Sequence, residues 1–222
     1  MKRIVQVTRD GSHTIAIPER QITYHSIFGA IQESKHVFIE AGLVYQLAQR
    51  SNRPLRLLEC GFGTGLNALL SWEYANNHAV ALVYDAVEPF PLLADEYGVL
   101  NYEQELGTGS ILARMHQTED GISTALDDYF TLTRFFIPLN ELQPAARYDL
   151  IYFDAFAPDA QPELWTIEQF SQLYHWLNPG GILVTYCSKS IIRKNMQAAG
   201  FSISKIPGPP GKREMVRAIK QP

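Results

Sequence analysis

Apolar and polar side chains alternate through residues 3–24, as in Val5-Gln6-Val7, and the pair Asp10-Gly11 separates two such runs. A period of two around Asp-Gly predicts an N-terminal β-hairpin, placed to act as a lid or an edge of the main fold. Over residues 27–49 the spacing becomes helical, with Phe28, Ile31, His36, Val37, Ile39 and Leu43 as inward positions. Ser51-Asn52-Arg53-Pro54 then breaks the helix. Leu55-Arg56-Leu57-Leu58 starts the first core strand, residues 66–74 read as a helix, and residues 81–88 as a second buried strand. Residues 92–142 are mostly helical in pattern, with a third strand among 124–130 and the pair Phe135-Phe136. Residues 148–153 predict a strand, 163–177 a helix, Asn178-Pro179-Gly180-Gly181 a turn, and 182–186 a strand. A last helix over 190–199 ends at Gly200, and 201–206 pairs antiparallel with 214–219 across Gly208-Pro209-Pro210-Gly211. This βαβ alternation predicts an α/β fold on a mostly parallel seven-stranded sheet, closed by an antiparallel C-terminal hairpin. Residues 1–50 are expected to form the hairpin-and-helix extension, and 51–222 the main domain.

A chain of 222 residues with 46% hydrophobic content can bury one substantial core. Cys60 and Cys187 have no close-spaced partners, and His13, His25, His36, His78, His116 and His175 show no ligand spacing, so neither a disulfide framework nor a metal is expected. With no apolar run of about 18 residues, no membrane span is expected, and a cytoplasmic protein is. The formal charge of −4 is uneven. Residues 180–222 hold eight basic side chains against the single acid Glu214, a net +7, which leaves −11 for the rest. Such a split suits either an anionic partner, nucleic acid first, or a solvated charged face.

The segment Glu59-Cys60-Gly61-Phe62-Gly63-Thr64-Gly65 joins the first core strand to a helix. Alternate glycines let a turn tighten and approach a ligand, and the helix start offers free N–H groups. A dinucleotide fingerprint would need glycine at 66, where Leu66 stands. The acid-x-Gly-x-Gly-x-Gly pattern is similar to that of S-adenosylmethionine (SAM) methyltransferases, which implies a Rossmann-like class I fold with the acid and glycines around the methionine end of the cofactor.

Glu88 ends the second strand where an α/β sheet places a ribose-binding acid, although any strand can end on an acid followed by proline. Asp154 leaves the 148–153 strand toward the same crevice; it suits an amine acceptor that must lose a proton and be held in line, or else a helix N-cap. Phe156 and Pro158 would pack a planar group beside it. Tyr24-His25-Ser26 either covers the site or serves structure.

Several segments together resemble the methyltransferase half of the bifunctional tRNA wobble-uridine enzyme MnmC and its stand-alone MnmD relatives. They are Glu33-Ser34-Lys35-His36-Val37-Phe38, the glycine segment through Asn67, Asp154-Ala155-Phe156-Ala157-Pro158, Pro162-Glu163-Leu164-Trp165, Pro179-Gly180-Gly181, Arg193, Gln197-Ala198-Ala199-Gly200-Phe201 and Gly211-Lys212-Arg213-Glu214-Met215. The resemblance implies methylation of the primary amine of 5-aminomethyl(-2-thio)uridine at the tRNA wobble position. It puts Glu59, Gly61, Gly63, Gly65, Asn67 and Glu88 on the cofactor and Asp154 at the amine. Lys189, Arg193, Lys212 and Arg213 are then expected to serve the tRNA, whose anticodon-loop base would be splayed into the pocket. Where the family often has an acid beside adenine, this chain reads Phe136-Ile137-Pro138-Leu139-Asn140-Glu141, which leaves adenine to backbone groups or Asn140. The chain ends at Pro222 without the FAD-dependent oxidase half, so separate enzymes are expected to act first. A polyamine synthase shares the sulfonium and amine chemistry but needs more acids than Asp154 and Asp159; a tRNA-binding module without catalysis is the third reading.

Overall fold

The computed structural model describes residues 2–49 and 54–221. The expected helix break at Ser51-Asn52-Arg53 and the expected boundary after residue 50 lie outside the described residues.

Strands β1 (Ile4–Val7) and β2 (His13–Ile17) form the expected antiparallel hairpin, and a 3-10 turn leads into a short third strand, β3 (Ile22–Thr23). The helix predicted from Ile27 begins at Ala30: α1 (Ala30–Ser34) runs through a π-helical stretch (Lys35–Val44) into α2 (Tyr45–Ala48). The later start has a local cause, because Gly29 holds φ 146° and has no side chain to cap the helix. The hairpin turn supplies the caps instead. Thr8 Oγ1 accepts from Ala30 N at 3.2 Å, Ser12 Oγ from Ile31 N at 3.3 Å, and Asp10 Oδ2 from Gln32 N at 3.0 Å. Three of the four orphan N–H groups of the helix thus find acceptors from the hairpin. Val37, Ile39 and Leu43 are buried as expected, whereas Phe28, Ile31 and His36 remain partly exposed. At Gly42 a Cβ would come within 3.0 Å of Tyr152 and Val184, so the π-helical stretch lies directly on the sheet.

The main sheet is built around β4 (Leu55–Cys60), β5 (Leu82–Val87) and β8 (Tyr148–Phe153), whose near-continuous burial explains their unbroken apolar sequences. Between them α3 (Leu66–His78) runs past the expected 66–74, since Ala75 is still core and Ala79 ends the helix in the left-handed region at φ 52°. The stretch 92–142 is more broken than its pattern predicts, with three short helices: α4 (Ala94–Tyr97), α5 (Tyr102–Leu106) and α6 (Ile111–His116). Its strands are β6 (Thr124–Ala125) and β7 (Phe130–Phe135), the latter running from the end of the expected 124–130 stretch to the first residue of the Phe135-Phe136 pair. Arg134 hides β7 in the sequence: it is a charged residue at 1% exposure, donating to the carbonyls of Met115 and His116 and lying between the rings of Phe62 and Phe136.

Beyond β8, the predicted 163–177 helix divides into a 3-10 turn (Pro162–Trp165) and α7 (Ile167–Trp176), where Thr166 caps Gln169 N. Asn178-Pro179-Gly180-Gly181 is not a free turn but the irregular start of β9 (Leu177–Thr185). Gly180 takes φ 72°, the register on β8 shifts, and Gly180 N and Gly181 O pair with Lys220 at 2.9 Å. Helix α8 (Ser190–Ala198) and the antiparallel pair β10 (Ser202–Pro207) and β11 (Glu214–Ile219) follow as expected.

The sheet order is β10-β11-β9-β8-β4-β5-β7-β6, parallel from β9 to β7 and antiparallel at both edges. Two-residue β6 adds an edge strand to the seven expected. Side chains alternate across the buried strands: Leu57, Leu150 and Tyr152 meet α3 and the N-terminal helix, whereas Leu58, Ile151 and Phe153 meet α7 and α8. The chain leaves β4 toward β5 on one side and returns to β8 on the other, so a crevice opens at the carboxyl end of β4.

Candidate active site

Register fixes the centre of this crevice. Cys60 is paired with both Val87 and Phe153, so the next residues of the three strands, Gly61, Glu88 and Asp154, leave the sheet side by side. They line a cavity of about 590 Å³, of the size that takes a small-molecule ligand.

The glycine turn is a cradle that side chains would fill. Gly61, Gly63 and Gly65 have φ of 95°, 51° and 77°. A Cβ on Gly61 would stand 2.8 Å from the Asp154 carbonyl oxygen, and one on Gly63 would stand 2.9 Å from the Tyr24 ring. Glu88 buttresses the turn, accepting from Gly63 N at 2.9 Å through one oxygen and from Phe90 N at 2.9 Å through the other. The first turn of α3 brings Asn67 to the two remaining acids: its Nδ2 donates to Glu59 Oε1 at 2.9 Å and to Asp154 Oδ2 at 2.8 Å. Asn67 Oδ1 is buried without a hydrogen-bond partner among the described residues.

Electrostatics separate these acids. Burial drives the Glu59 carboxyl well above the ordinary range, against the Asn67 hydrogen bond. Burial likewise lifts Asp154 to about 7; the Asn67 bond pulls it down, Glu33 pushes it up and Lys212 pulls it down. A carboxylate poised there can both accept and return a proton near neutrality.

Eight of the expected site residues line the cavity: Gly61, Gly63, Asn67, Glu88, Asn140, Asp154, Phe156 and Lys212. Glu59 stands behind Asn67, fully buried, and Gly65 turns toward Leu112, Phe62 and His116. Pro158, Lys189, Arg193 and Arg213 do not line it. Lys189 pairs with Asp159 at 2.6 Å and Arg193 with Glu214 at 3.7 Å, while Arg213 is exposed. The basic C-terminal segment is also less free than its charge suggests. Arg217 lies 3.5 Å over the Tyr45 ring, and Lys220 Nζ caps α7 by donating to the carbonyls of Tyr174 and Leu177.

The segment Tyr24-His25-Ser26 does cover the cavity. Tyr24 meets Phe156 edge-on at 5.1 Å, and His25 is held by Thr14, burial keeping its imidazole near 4 and so neutral. Glu33, Gln161 and Tyr186 also line the cavity without having been singled out. Glu33 reads in sequence as an ordinary helix acid; only its position in a segment shared with a known family hinted at more.

Residues 114–221 match a family model described as S-adenosyl-L-methionine-dependent methyltransferase. The chain is 33% identical over 205 residues to the tRNA 5-methylaminomethyl-2-thiouridine biosynthesis bifunctional protein MnmC of Ectopseudomonas mendocina, covering 87% of this chain and 31% of that protein. It therefore spans about a third of the length of the relatives it matches. MnmC2 from Aquifex aeolicus superposes with a TM-score of 0.79 at 23% identity, covering 100% of this chain and 71% of that one. Human methyltransferase-like protein 13, solved with SAH, superposes at 0.53 with 16% identity, covering 86% of this chain and 82% of that one. Both structures share the class I methyltransferase fold. Residues 114–221 thus carry the sequence of the S-adenosyl-L-methionine-dependent methyltransferase family, and the chain is an MnmC-like methyltransferase domain.

Proposed function

We propose that this chain methylates the primary amine of 5-aminomethyl(-2-thio)uridine at the wobble position of tRNA, giving the 5-methylaminomethyl product. The observation that carries the reading is Asp154, held by Asn67 on the cavity wall beside the glycine turn. A tRNA acceptor is supported by the relatives' name.

The site fits SAM, since Gly61, Gly63, Glu88 and Asn140 line one cavity with Asn67, whose Oδ1 is a buried acceptor without a hydrogen-bond partner among the described residues. Gly61, Gly63 and Asn67 would hold its methionine end, with Glu59 supporting Asn67 from behind and Gly65 shaping the turn, Glu88 its ribose, and Asn140 with the backbone of residues 138–140 its adenine. When bound, SAM supplies an electrophilic methyl group whose C–S bond breaks, leaving the electron pair on sulfur, as the C–N bond to the acceptor forms. Asp154 takes a proton from the substrate ammonium, which frees the nitrogen lone pair, and its carboxyl oxygen keeps the neutral amine in line. The product nitrogen carries a positive charge and releases its surplus proton to water, as does Asp154 on return to its carboxylate. Tyr24 and Phe156 would pack the uracil plane, without Pro158, which does not line the cavity, and Tyr24-His25-Ser26 would keep bulk water away.

Most affinity for tRNA would come from phosphate contacts, to which Lys189, Arg193 and Arg213 remain candidates. On this reading the chain acts in the cytoplasm, after enzymes that install the aminomethyl group. No helix among the described residues is long and apolar enough to cross a membrane. An aminopropyl transfer to polyamines is less well supported, because Asp159, the second acid it would use after β8, is exposed and paired with Lys189.

Incubating the protein and SAM with tRNA bearing 5-aminomethyluridine, followed by nucleoside mass spectrometry, tests the reading; the expected result is a gain of one methyl group at that nucleoside. An unmodified nucleoside in the presence of calorimetrically proven SAM binding would overturn it. Asp154→Ala is expected to stop turnover while SAM still binds, and Glu88→Ala to weaken SAM itself.

A further inference from the structure

We propose that Glu33 and Lys212 form an ion pair in the cavity wall that sets the charge of Asp154, with Lys212 holding the carboxylate ionised and Glu33 limiting that pull. This inference rests on the reading of Asp154 as the proton acceptor, and makes positioning residues of two side chains that come from opposite ends of the chain.

Lys212 Nζ lies 2.6 Å from Glu33 Oε1 and 4.0 Å from the centre of the Tyr186 ring, and all three residues line the cavity with Asp154. The contacts around them leave the cation little freedom. Tyr186 is itself anchored by donating its hydroxyl to Ala155 O, the residue after Asp154, at 2.9 Å. Glu33 Oε2 accepts from Ser26 N at 2.8 Å, which ties the covering segment to the same pair. The turn before Lys212 is shaped for this approach. Gly211 has φ 86°, and a Cβ there would meet the Phe28 ring at 2.4 Å; Lys212 N bonds to Pro209 O at 2.9 Å. A lysine over a tyrosine face, bonded to one buried glutamate, is fixed rather than swinging in solvent.

The ionisable and polar groups around Asp154 come from every element packed on it. They are Asn67 from α3, Glu59 and Cys60 from β4, Tyr84 from β5 and Glu88 at its end, Glu33 from α1, Tyr24 and His25 from the covering segment, Tyr186 beyond β9 and Lys212 from the β10–β11 turn. Burial raises the pKa of Glu59, Cys60, Tyr84 and Tyr186. Lys212 is the one cation named among these neighbours. A cation fixed beside Asp154 favours its ionised form, the form able to receive a proton.

The test reads the free protein, so it does not depend on turnover. In protein labelled with ¹³C at aspartate carboxyls, the Asp154 resonance is assigned by its loss in Asp154→Asn and followed against pH. Lys212→Met is expected to move its midpoint up by about half a pH unit or more, and Glu33→Gln to move it down by a similar amount. Lys212→Arg, which keeps the charge, is expected to titrate like the native protein. The acid limb of methyl transfer should move in the same directions. Midpoints that do not move, or that move the same way in Lys212→Met and Glu33→Gln, overturn the proposal. If Lys212→Met does not fold, the Glu33→Gln shift decides alone. Failure of methyl transfer in the native protein with opposed midpoint shifts intact would sink the proposed function instead.

Discussion

Asn67 Nδ2 stands 2.8 Å from Asp154 Oδ2 and 2.9 Å from Glu59 Oε1, so one amide on the first turn of α3 holds the carboxylates of two neighbouring strands. The two acids approach each other because β4 and β8 pair in register, and without a shared donor both would be buried with fewer hydrogen bonds to satisfy their oxygens.

Asn67→Leu should therefore cost more than its size implies. Loss of the donor is expected to destabilise the protein by about 1–3 kcal/mol in urea unfolding. It should also shift the acid limb of methyl transfer upward, since the amide favours ionised Asp154. Native stability together with a native pH profile would show that the amide is idle.

Asp154 carries a stability signature of its own. Its carboxyl titrates near 7 when folded, pushed there chiefly by burial, and near 4 when unfolded, as free aspartate does. Between those values the folded protein binds the extra proton, so its stability falls as pH rises through the window, and the full cost is present above it. Asp154→Asn is expected to melt a few °C higher than the native protein at about pH 8, with the difference closing as pH drops toward about 4. Differential scanning calorimetry checks the sign; a lower melting temperature for the variant at high pH would contradict it. Transfer by the native protein should weaken below about pH 7 as the acceptor fills.

Gly61→Ala tests the cradle. Its φ of 95° and the 2.8 Å approach to the Asp154 carbonyl leave no room for a methyl group, and the obstacle is backbone that cannot rotate away. Destabilisation of about 1–2 kcal/mol is expected, with SAM affinity by calorimetry reduced roughly tenfold or more.

Asp10→Ala tests the link between hairpin and helix. Asp10 accepts from Gln32 N and from Ser12, and these bonds keep its carboxyl below the ordinary range although burial works against them. Losing that cap should cost about 1 kcal/mol in chemical unfolding. Hydrogen exchange should quicken at residues 30–33, and Asp10→Asn, which retains an acceptor, should lose less.

Much of the site was legible because its parts are local. A glycine turn between an apolar run and a helix, an acid closing the next strand at Glu88, and another closing the 148–153 strand at Asp154 are each fixed by a few neighbouring residues, and strand ends at a sheet edge converge by topology. Locality also explains the errors. Asn178-Pro179-Gly180-Gly181 has turn chemistry, yet pairing with Lys220 recruits it into β9. Arg134 broke the apolar pattern of β7, although π faces and two helix-end carbonyls make its burial tolerable.

The sequence by itself determined the order of the elements, the cradle and the two strand-end acids, because hydrophobic period and glycine conformation act over a few residues. Only the tertiary structure decided what surrounds Asp154. Asn67 lies 87 positions from it in sequence, and the Glu33–Lys212 pair closes over 179 positions, so both depend on distances that no local pattern encodes. The C-terminal charge is the clearest case: its excess suits an anionic partner or a solvated face, whereas folding turned Lys212 into the cavity, laid Arg217 over Tyr45 and used Lys220 to cap a helix. A side chain's charge is written in the chain, but its environment is set by what the fold packs against it.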